Sequence, residues 1–463
     1  MSEGALRALT LLGLGSLAAS LVASLALRAL PLPSPASAAA LCGAGVQLGL
    51  YALLIGAWQG TGGEGWPVPT AGFLLCSLPL HALCVGAAVR HGRRTLPATT
   101  ALFVLAGLGM AWATRIGQRD PALVGVALTS GVVVCAALST LLDRWWPRDA
   151  PLGTRPPLWR RALASPWTWC AVCLALLVPS LLAGVRTAGG TVVGLRIGGV
   201  FLQPTELAYK LSLPPLLAAG LLRYAARRGE ATGLGRRLAA AAPLLGALVL
   251  GFVVPLLLLK EHGTLVLGGL LFAAAVGLHG HARDLWVPAL VAALLAAGVA
   301  WTEPRVRQRV TALLAPACAP GHEGDQRCTA ATAAASSDLL GQGIAAGLAR
   351  AVPQAETDFP VSGFAEELGL PGVVLLWLAL ALGATFVLRE PPREHAASLA
   401  AAAAQALLLA ILLQAAWSHW MNLGLFLPVM GVPFPWLSFS GTTVFASTVG
   451  AGAAALLAWR SPA

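Results

Sequence analysis

The chain has 463 residues, 57% of them hydrophobic and 11% charged, with a mean hydropathy of +0.77 and a formal net charge of +11. It is far more apolar than a soluble domain, and its apolar runs are continuous rather than alternating, which excludes a β-barrel. An all-α polytopic membrane protein remains. Arginine-rich cytoplasmic loops and anionic lipid account for the positive charge, so no nucleic-acid partner is implied.

Runs of about 17 to 25 apolar residues mark roughly thirteen spans, at 6–27, 38–58, 70–89, 95–114, 121–142, 166–185, 205–222, 238–259, 264–279, 285–301, 361–388, 396–418 and 436–458. The first has a weakly basic start and is too long for a signal sequence, so it reads as an anchor. Arg90, Arg93 and Arg94, then Arg144 to Arg161, Arg223 to Arg237, Arg283, and Arg389 with Arg393 occupy alternate loops. By the positive-inside rule those loops are cytoplasmic, and the loops at 186–203, 302–360 and 419–435, with the Gly-rich segment 59–69, face the other side. The same count puts the amino terminus outside.

Taken in chain order, Gly60 to Gly65 lacks the strand and helix context of a phosphate loop. Cys170 and Cys173 read as small packing residues within a span. The chain has only two lysines, Lys210 and Lys260, both within or beside spans; they either snorkel to the interface or face an anionic head group. Gln203-Pro204-Thr205-Glu206 reads as a helix start, with Glu206 at the positive end of the dipole and on one face with Lys210. Lys260-Glu261-His262-Gly263-Thr264 interrupts a long apolar run, and polar backbone at that depth needs cover from protein or a watery cavity. His279 and His281 read as a solvated turn.

The loop 302–360 begins with Arg305, Arg307 and Arg309 at every second position, read either as surface charge or as an extended basic strand suited to a pyrophosphate. Cys318 and Cys328 flank a small ring in a loop facing an oxidising compartment, where they form a disulfide or stay as two thiols. Thr357-Asp358-Phe359 and then Glu366-Glu367-Leu368-Gly369 place acids at the mouth of an apolar helix, where their cost marks a site. Pro433 and Pro435 break a helix at the outer surface.

Four segments in this order, Leu202-Gln203-Pro204-Thr205-Glu206-Leu207, Glu261-His262-Gly263-Thr264, Thr357-Asp358-Phe359 with Glu366-Glu367-Leu368-Gly369-Leu370, and Leu427 to Gly441, resemble the SEDS proteins (shape, elongation, division and sporulation), the family of RodA, FtsW and SpoVE. The resemblance covers roughly residues 95–460. It implies a ten-helix core, spans four to thirteen, preceded by about three extra transmembrane helices, and so a division into 1–94 and 95–463. It further implies a multi-pass protein of the bacterial cytoplasmic (inner) membrane that polymerises peptidoglycan glycan strands in cell elongation or division. The implied substrate is lipid II or a related undecaprenyl-linked molecule, and the implied partner is a class B penicillin-binding protein.

The substrate-binding candidates are Gln203, Glu206, Lys210, Lys260, Glu261, Arg307, Arg309, Thr357, Asp358, Glu366, Glu367 and Ser438. The family's loop Asp, which activates the acceptor hydroxyl, falls on Ala319; Glu323 and Asp325 just beyond it are the candidates for general base. A second reading is a catalytically impaired homologue that serves as scaffold or regulator of a penicillin-binding transpeptidase, or as a lipid-carrier binder; a third is a changed substrate, or another acid such as Asp358 or Glu356 as the base. The family's Asn before the Pro-rich segment falls on His419, with Asn422 near. No metal site or cofactor is assigned, a divalent cation being left open.

Overall fold

The computed structural model describes residues 2–29, 34–60, 69–92, 95–116, 122–145, 158–186, 190–198, 200–228, 233–278, 301–314, 318, 326–388, 395–422 and 427–458, with isolated positions between 285 and 298. Among the described residues 9 helices are long and apolar enough to cross a membrane, and the protein is a multi-pass, essentially all-α membrane protein. The chain forms two compact units. One holds Met1–Ala137, Ala312–Phe386 and Gln414–Val449, the other Leu138–Thr311, Val387–Leu413 and Gly450–Ala463.

The first unit begins with α1 (Glu3–Ala29), α2 (Pro35–Gly60), α3 (Pro69–His91), α4 (Leu96–Ile116) and most of α5 (Ala122–Trp145). Lipid offers no hydrophobic contrast, so these helices associate through close packing at small residues. A Cβ at Gly49 of α2 would lie 2.7 Å from the carbonyl oxygen of Gly13 in α1, and one at Gly107 of α4 would lie 2.1 Å from a Leu50 methyl. The helix α4 is buried along nearly its whole length.

The second unit starts with α6 (Leu158–Leu163) and α7 (Pro166–Ala183), followed by three antiparallel strands, β1 (Val185–Arg186), β2 (Val192–Ile197) and β3 (Val200–Leu202), in the order β1-β2-β3. The sequence reading had this segment as a plain loop. The register pairs Ile197 with Val200, Gly198 after Ile197 is left-handed at φ +54°, and the β-branched Val192-Val193 and Ile197 favour the extended form. Cys170 and Cys173 of α7 are buried free thiols.

Next comes α8 (Pro204–Leu207), which runs through a π-helical turn, Ala208–Ser212, into α9 (Leu213–Arg228). After α10 (Leu234–Leu248) a second π turn, Val249–Val253, leads to α11 (Val254–Leu259). Each π turn lies just ahead of proline, at Pro214-Pro215 and at Pro255. Proline supplies no N–H to the carbonyl four residues back, and the ladder widens by one residue: Leu213 donates to Ala208 O and Val254 to Val249 O.

At the end of α11 Lys260 is left-handed (φ 59°), with its N–H on Leu257 O (3.1 Å) and the N–H of Glu261 on Leu256 O (3.0 Å). This is a Schellman stop carrying lysine where glycine is usual. The chain restarts as α12 (His262–Leu278).

Within 302–360 the structure corrects the sequence reading. Residues 304–314 form α13 (Pro304–Leu314) rather than an extended basic strand, so Arg307 and Arg309 lie on different faces. Pro304 at the first turn favours the helix, as does the apolar spacing of Val306, Val310 and Leu313. A second helix, α14 (Gln326–Ala335), is tied to the end of α13 by the Cys318–Cys328 disulfide and by a hydrogen bond from Arg327 Nη1 to Ala312 O. The remaining helices are α15 (Pro360–Leu388), α16 (His395–Asn422) and α17 (Gly441–Ala458).

Four spans read from the sequence fall outside the 9 membrane-crossing helices. The span at 70–89 is the helix α3, only part of whose side chains are described; 205–222 is divided by its π turn; 264–279 is the shorter α12; and most of 285–301 lies outside the described residues. His279, His281 and most of the Gly60 to Gly65 segment also lie outside them.

The helix α15 is interrupted at Gly369 (φ 61°, ψ −164°), a conformation open essentially to glycine alone. A Cβ there would sit 2.4 Å from Gly341 N, and one at Gly341 would sit 2.5 Å from Gly369 N, so the irregular segment 339–343 lies directly on the break. Gly369→Ala is therefore expected to cost at least about 1–3 kcal/mol in backbone strain alone. It should lower the thermal midpoint of the detergent-solubilised protein, whereas Gly383→Ala, where a Cβ meets nothing within 4 Å, should not.

Candidate functional site

The first unit gathers its polar residues where α15 breaks. The last carbonyls of the helical segment before Gly369 have lost their helical donors, and the loop supplies replacements: Gln342 N–H donates to Glu366 O (3.0 Å) and Gly343 N–H to Glu367 O (2.9 Å), while Leu370 N–H just past the break donates to the loop's Leu339 O (3.1 Å). The Gly341-Gln342-Gly343 and Glu366-Glu367-Leu368-Gly369 motifs thus form one joint.

Both carboxylates turn into that loop. Glu367 receives Arg115 Nε at 2.8 Å and 3.1 Å on its two oxygens and Nη2 at 2.7 Å, and also accepts from Ala345 N–H (2.7 Å). Its side chain is 0% exposed and that of Arg115 5%. Glu366 accepts from Leu348 N–H (2.8 Å) and from Ser336 Oγ (3.2 Å). Gly347 lies against both acids, and a Cβ there would approach the Glu366 carboxyl carbon to 2.7 Å. Arg115 also donates to Gly347 O (3.0 Å), and Arg350 donates through Nε and Nη2 to Arg115 O (3.2 and 3.0 Å), capping the end of α4. Burial, then the Arg115 charge, lowers the Arg350 pKa, and Glu367 opposes that shift.

Thr357-Asp358-Phe359 is framed through its backbone. The amides of all three point at the carbonyl of Gln354, itself left-handed at φ 57°. Ser438 Oγ donates to Thr357 O and accepts from Phe434 N–H, each at 2.7 Å. Asn422 at the end of α16 donates to Asp358 O (2.7 Å) and Ser418 O (2.7 Å), accepts from Val361 N–H (2.8 Å), and offers its own carbonyl to Ser362 Oγ (2.7 Å). His419, one turn earlier, instead accepts from Trp377 Nε1 (3.4 Å). Asp358 is half-buried, and its carboxylate borders Gly431, where a Cβ would come within 3.3 Å.

The second unit holds two further groups. Lys210, in the first π turn, is 0% exposed and binds Glu206 Oε2 at 2.6 Å; the adjacent Tyr209 donates its hydroxyl to Ala410 O (2.9 Å). Gln203 is the residue before Pro204 in that same helix start. At the break between α11 and α12, Lys260 reaches Glu303 at 3.2 Å with its side chain 42% exposed. Glu303 accepts the first amides of α13, from Val306 and Arg307, so the lysine is tied to the helix carrying the exposed Arg307 and Arg309. Glu261 caps α12, its carbonyl accepting from Leu265 N–H (3.2 Å).

The structure therefore joins Thr357 and Asp358 with Ser438, Glu206 with Lys210, and Lys260 with the start of the Arg307 and Arg309 helix. Glu323, Asp325 and Ala319 lie outside the described residues, and among the described residues no three His, Cys, Asp or Glu side chains converge as a metal site.

Sequence reasoning missed Arg115, Gly347 and Glu303. Arg115 carried a usable signal. It is an arginine at the end of an apolar run on the side away from the arginine-rich loops, where the positive-inside rule puts few.

The model of the FtsW, RodA and SpoVE cell cycle protein family matches residues 156–459. A probable peptidoglycan glycosyltransferase FtsW of Halorhodospira halophila is 34% identical over 290 residues, which is 59% of this chain and 69% of that one. A peptidoglycan glycosyltransferase RodA of Mycobacterium bovis is 30% identical over 288 residues, 59% of each chain. A chain from a solved peptidoglycan synthase complex, described as coordinating polymerization and crosslinking, aligns with a TM-score of 0.52 and 24% identity over 77% of this chain and 95% of its own, a likeness of fold.

Removing Arg115 strands a buried carboxylate, which costs about 3–5 kcal/mol where one partner of a buried pair is lost. Arg115→Leu should collapse the thermal midpoint in detergent, and Arg115→Leu with Glu367→Leu should recover much of it.

Proposed function

The chain belongs to the FtsW, RodA and SpoVE family of cell cycle proteins, and from that membership we propose that it polymerises peptidoglycan glycan strands from lipid II at the outer face of the bacterial cytoplasmic membrane. In this reading residues 95–463 form a ten-helix core and residues 1–94 add three helices. A class B penicillin-binding transpeptidase is the partner.

The observation that carries the reading is Lys260. A lysine held left-handed at a break between two apolar helices, half-exposed and linked through Glu303 to a helix with Arg307 and Arg309, is a fixed cationic site at the membrane end. Ionisable groups so placed are costly and mark substrate sites, and this charge suits the pyrophosphate of a lipid-linked sugar. Lys210 is neutralised by Glu206 in a dry environment, so the pair shapes the helix start that follows Gln203 rather than offering free charge. Within the first unit, Thr357, Asp358 and Ser438 are the proposed binding group, and Glu366 and Glu367 hold the loop that precedes it.

Glu323 or Asp325 is the general base, because Ala319 stands at the family's Asp position. That same Ala319 favours a second reading, a catalytically impaired scaffold for the transpeptidase.

Purified protein with its transpeptidase is expected to convert labelled lipid II into glycan ladders on a gel. Whichever of Glu323→Ala and Asp325→Ala removes the base should slow this by about 10²- to 10⁴-fold. Absence of ladders, together with full cellular complementation by both variants, would leave the scaffold.

Lys260→Gly separates binding from stability. Glycine relieves a left-handed residue costing about 1–2 kcal/mol, so the thermal midpoint should hold or rise while the apparent KM for lipid II increases.

A further inference from the structure

The family match begins at residue 156, so α1 to α5 lie ahead of it. Packing in lipid asks only for small residues and shape, which α1 and α2 provide through Gly13 and Gly49. The first turns of α1 do more. Arg7 Nη1 pairs with Asp338 (3.2 Å), its Nε donates to Gln342 O (3.1 Å), and its Nη2 donates to Gln342 Oε1 (3.2 Å).

One turn on, Thr10 is 1% exposed; its hydroxyl donates to Leu6 O (2.8 Å) and accepts from Ile344 N–H (2.9 Å). The fit extends to Gly56 of α2, where a Cβ would strike Ile344 Cγ2 at 2.6 Å. The Arg7 and Thr10 bonds to Gln342 and Ile344 join residues more than 330 positions apart. They select the loop conformation in which the neighbouring amides of Ala345 and Leu348 hold Glu367 and Glu366.

We propose that the amino-terminal helices are a built-in clamp on the extracytoplasmic loop 336–351, with Arg7 and Thr10 as its positioning residues. The clamp acts on loop conformation rather than on substrate, and it stands whether or not the chain is a polymerase. The helices α1 and α2 supply a rigid platform, and α4 supplies Arg115 from the same platform, so the loop is gripped from two sides. Without Arg7 and Thr10 the 338–344 end would be held by the backbone bonds of Leu339, Gln342 and Gly343 to the α15 break alone; the clamp adds the side-chain bonds to Asp338 and Gln342 and the bond to the Ile344 amide.

The test is hydrogen–deuterium exchange of the full-length protein in detergent, followed peptide by peptide. The Arg7 side chain is 40% exposed, so Arg7→Met leaves the core intact. It is expected to speed exchange across 339–349 by about tenfold, the ratio for roughly one lost hydrogen bond to a charged group, with α1, α2 and α4 unchanged. Thr10→Val should do the same at the Ile344 amide, and Thr10→Ser, which keeps the acceptor, should restore protection. Unchanged exchange over 339–349 in Arg7→Met overturns the clamp. So does acceleration spread evenly through α1, α2 and α4, which would mean that Arg7 serves the platform and not the loop.

Discussion

A carboxylate buried at the end of a membrane helix must be given both a countercharge and hydrogen-bond donors, and much of the first unit follows from how Glu367 obtains them. The countercharge is Arg115, brought by α4; a donor is the amide of Ala345, brought by the loop. For the loop to come that close, the helix has to stop at Gly369, the facing residue has to be Gly341, and no side chain can project at Gly347. Two sequence motifs that look separate are therefore two halves of one contact, and glycine appears in each where a Cβ would close the gap.

The second unit meets the same demand on polar groups at depth by reshaping its own backbone. Prolines remove donors from the ladder, and the π turns at Ala208–Ser212 and Val249–Val253 absorb the loss without admitting a foreign segment. One of these turns carries Lys210 and its partner Glu206, a charge pair excluded from solvent. The break at Lys260 is of another kind. Its Schellman bonds satisfy the carbonyls of Leu256 and Leu257, and what the left-handed lysine costs in strain fixes the direction in which a cation leaves the helix.

What the sequence disclosed tracks how local each signal is. Apolar runs gave the membrane class and most helices, because span length is set by bilayer thickness and needs no tertiary information. The motifs at 203–206, 260–264, 357–359 and 366–369 were visible as polar residues where polarity is expensive. The partners that hold them were not, since Arg115 lies some 250 residues from Glu367 and Asn422 more than 60 from Asp358. Alternate arginines at 305, 307 and 309 looked strand-like because charge was weighed ahead of the apolar spacing of Val306, Val310 and Leu313, and burial of Val306 decided for the helix. The hairpin at 185–202 was passed over because a short polar connection between spans was taken as loop, although its Val, Ile and Gly content carried the turn.

The burial pattern narrows where a base can stand. A general base has to come within hydrogen-bonding distance of the hydroxyl it deprotonates, directly or through one water. Glu366 at 2% exposure and Glu367 at 0% are enclosed by the loop and Arg115, and freeing either would dismantle the joint that orders 336–351. Glu206 is committed to Lys210, and Glu303 to Lys260 and the start of α13. The acids that built the case for a site are thus mostly its frame. The base is therefore sought at Glu323 and Asp325, which lie in sequence between Cys318 and Cys328, two cysteines joined by a disulfide.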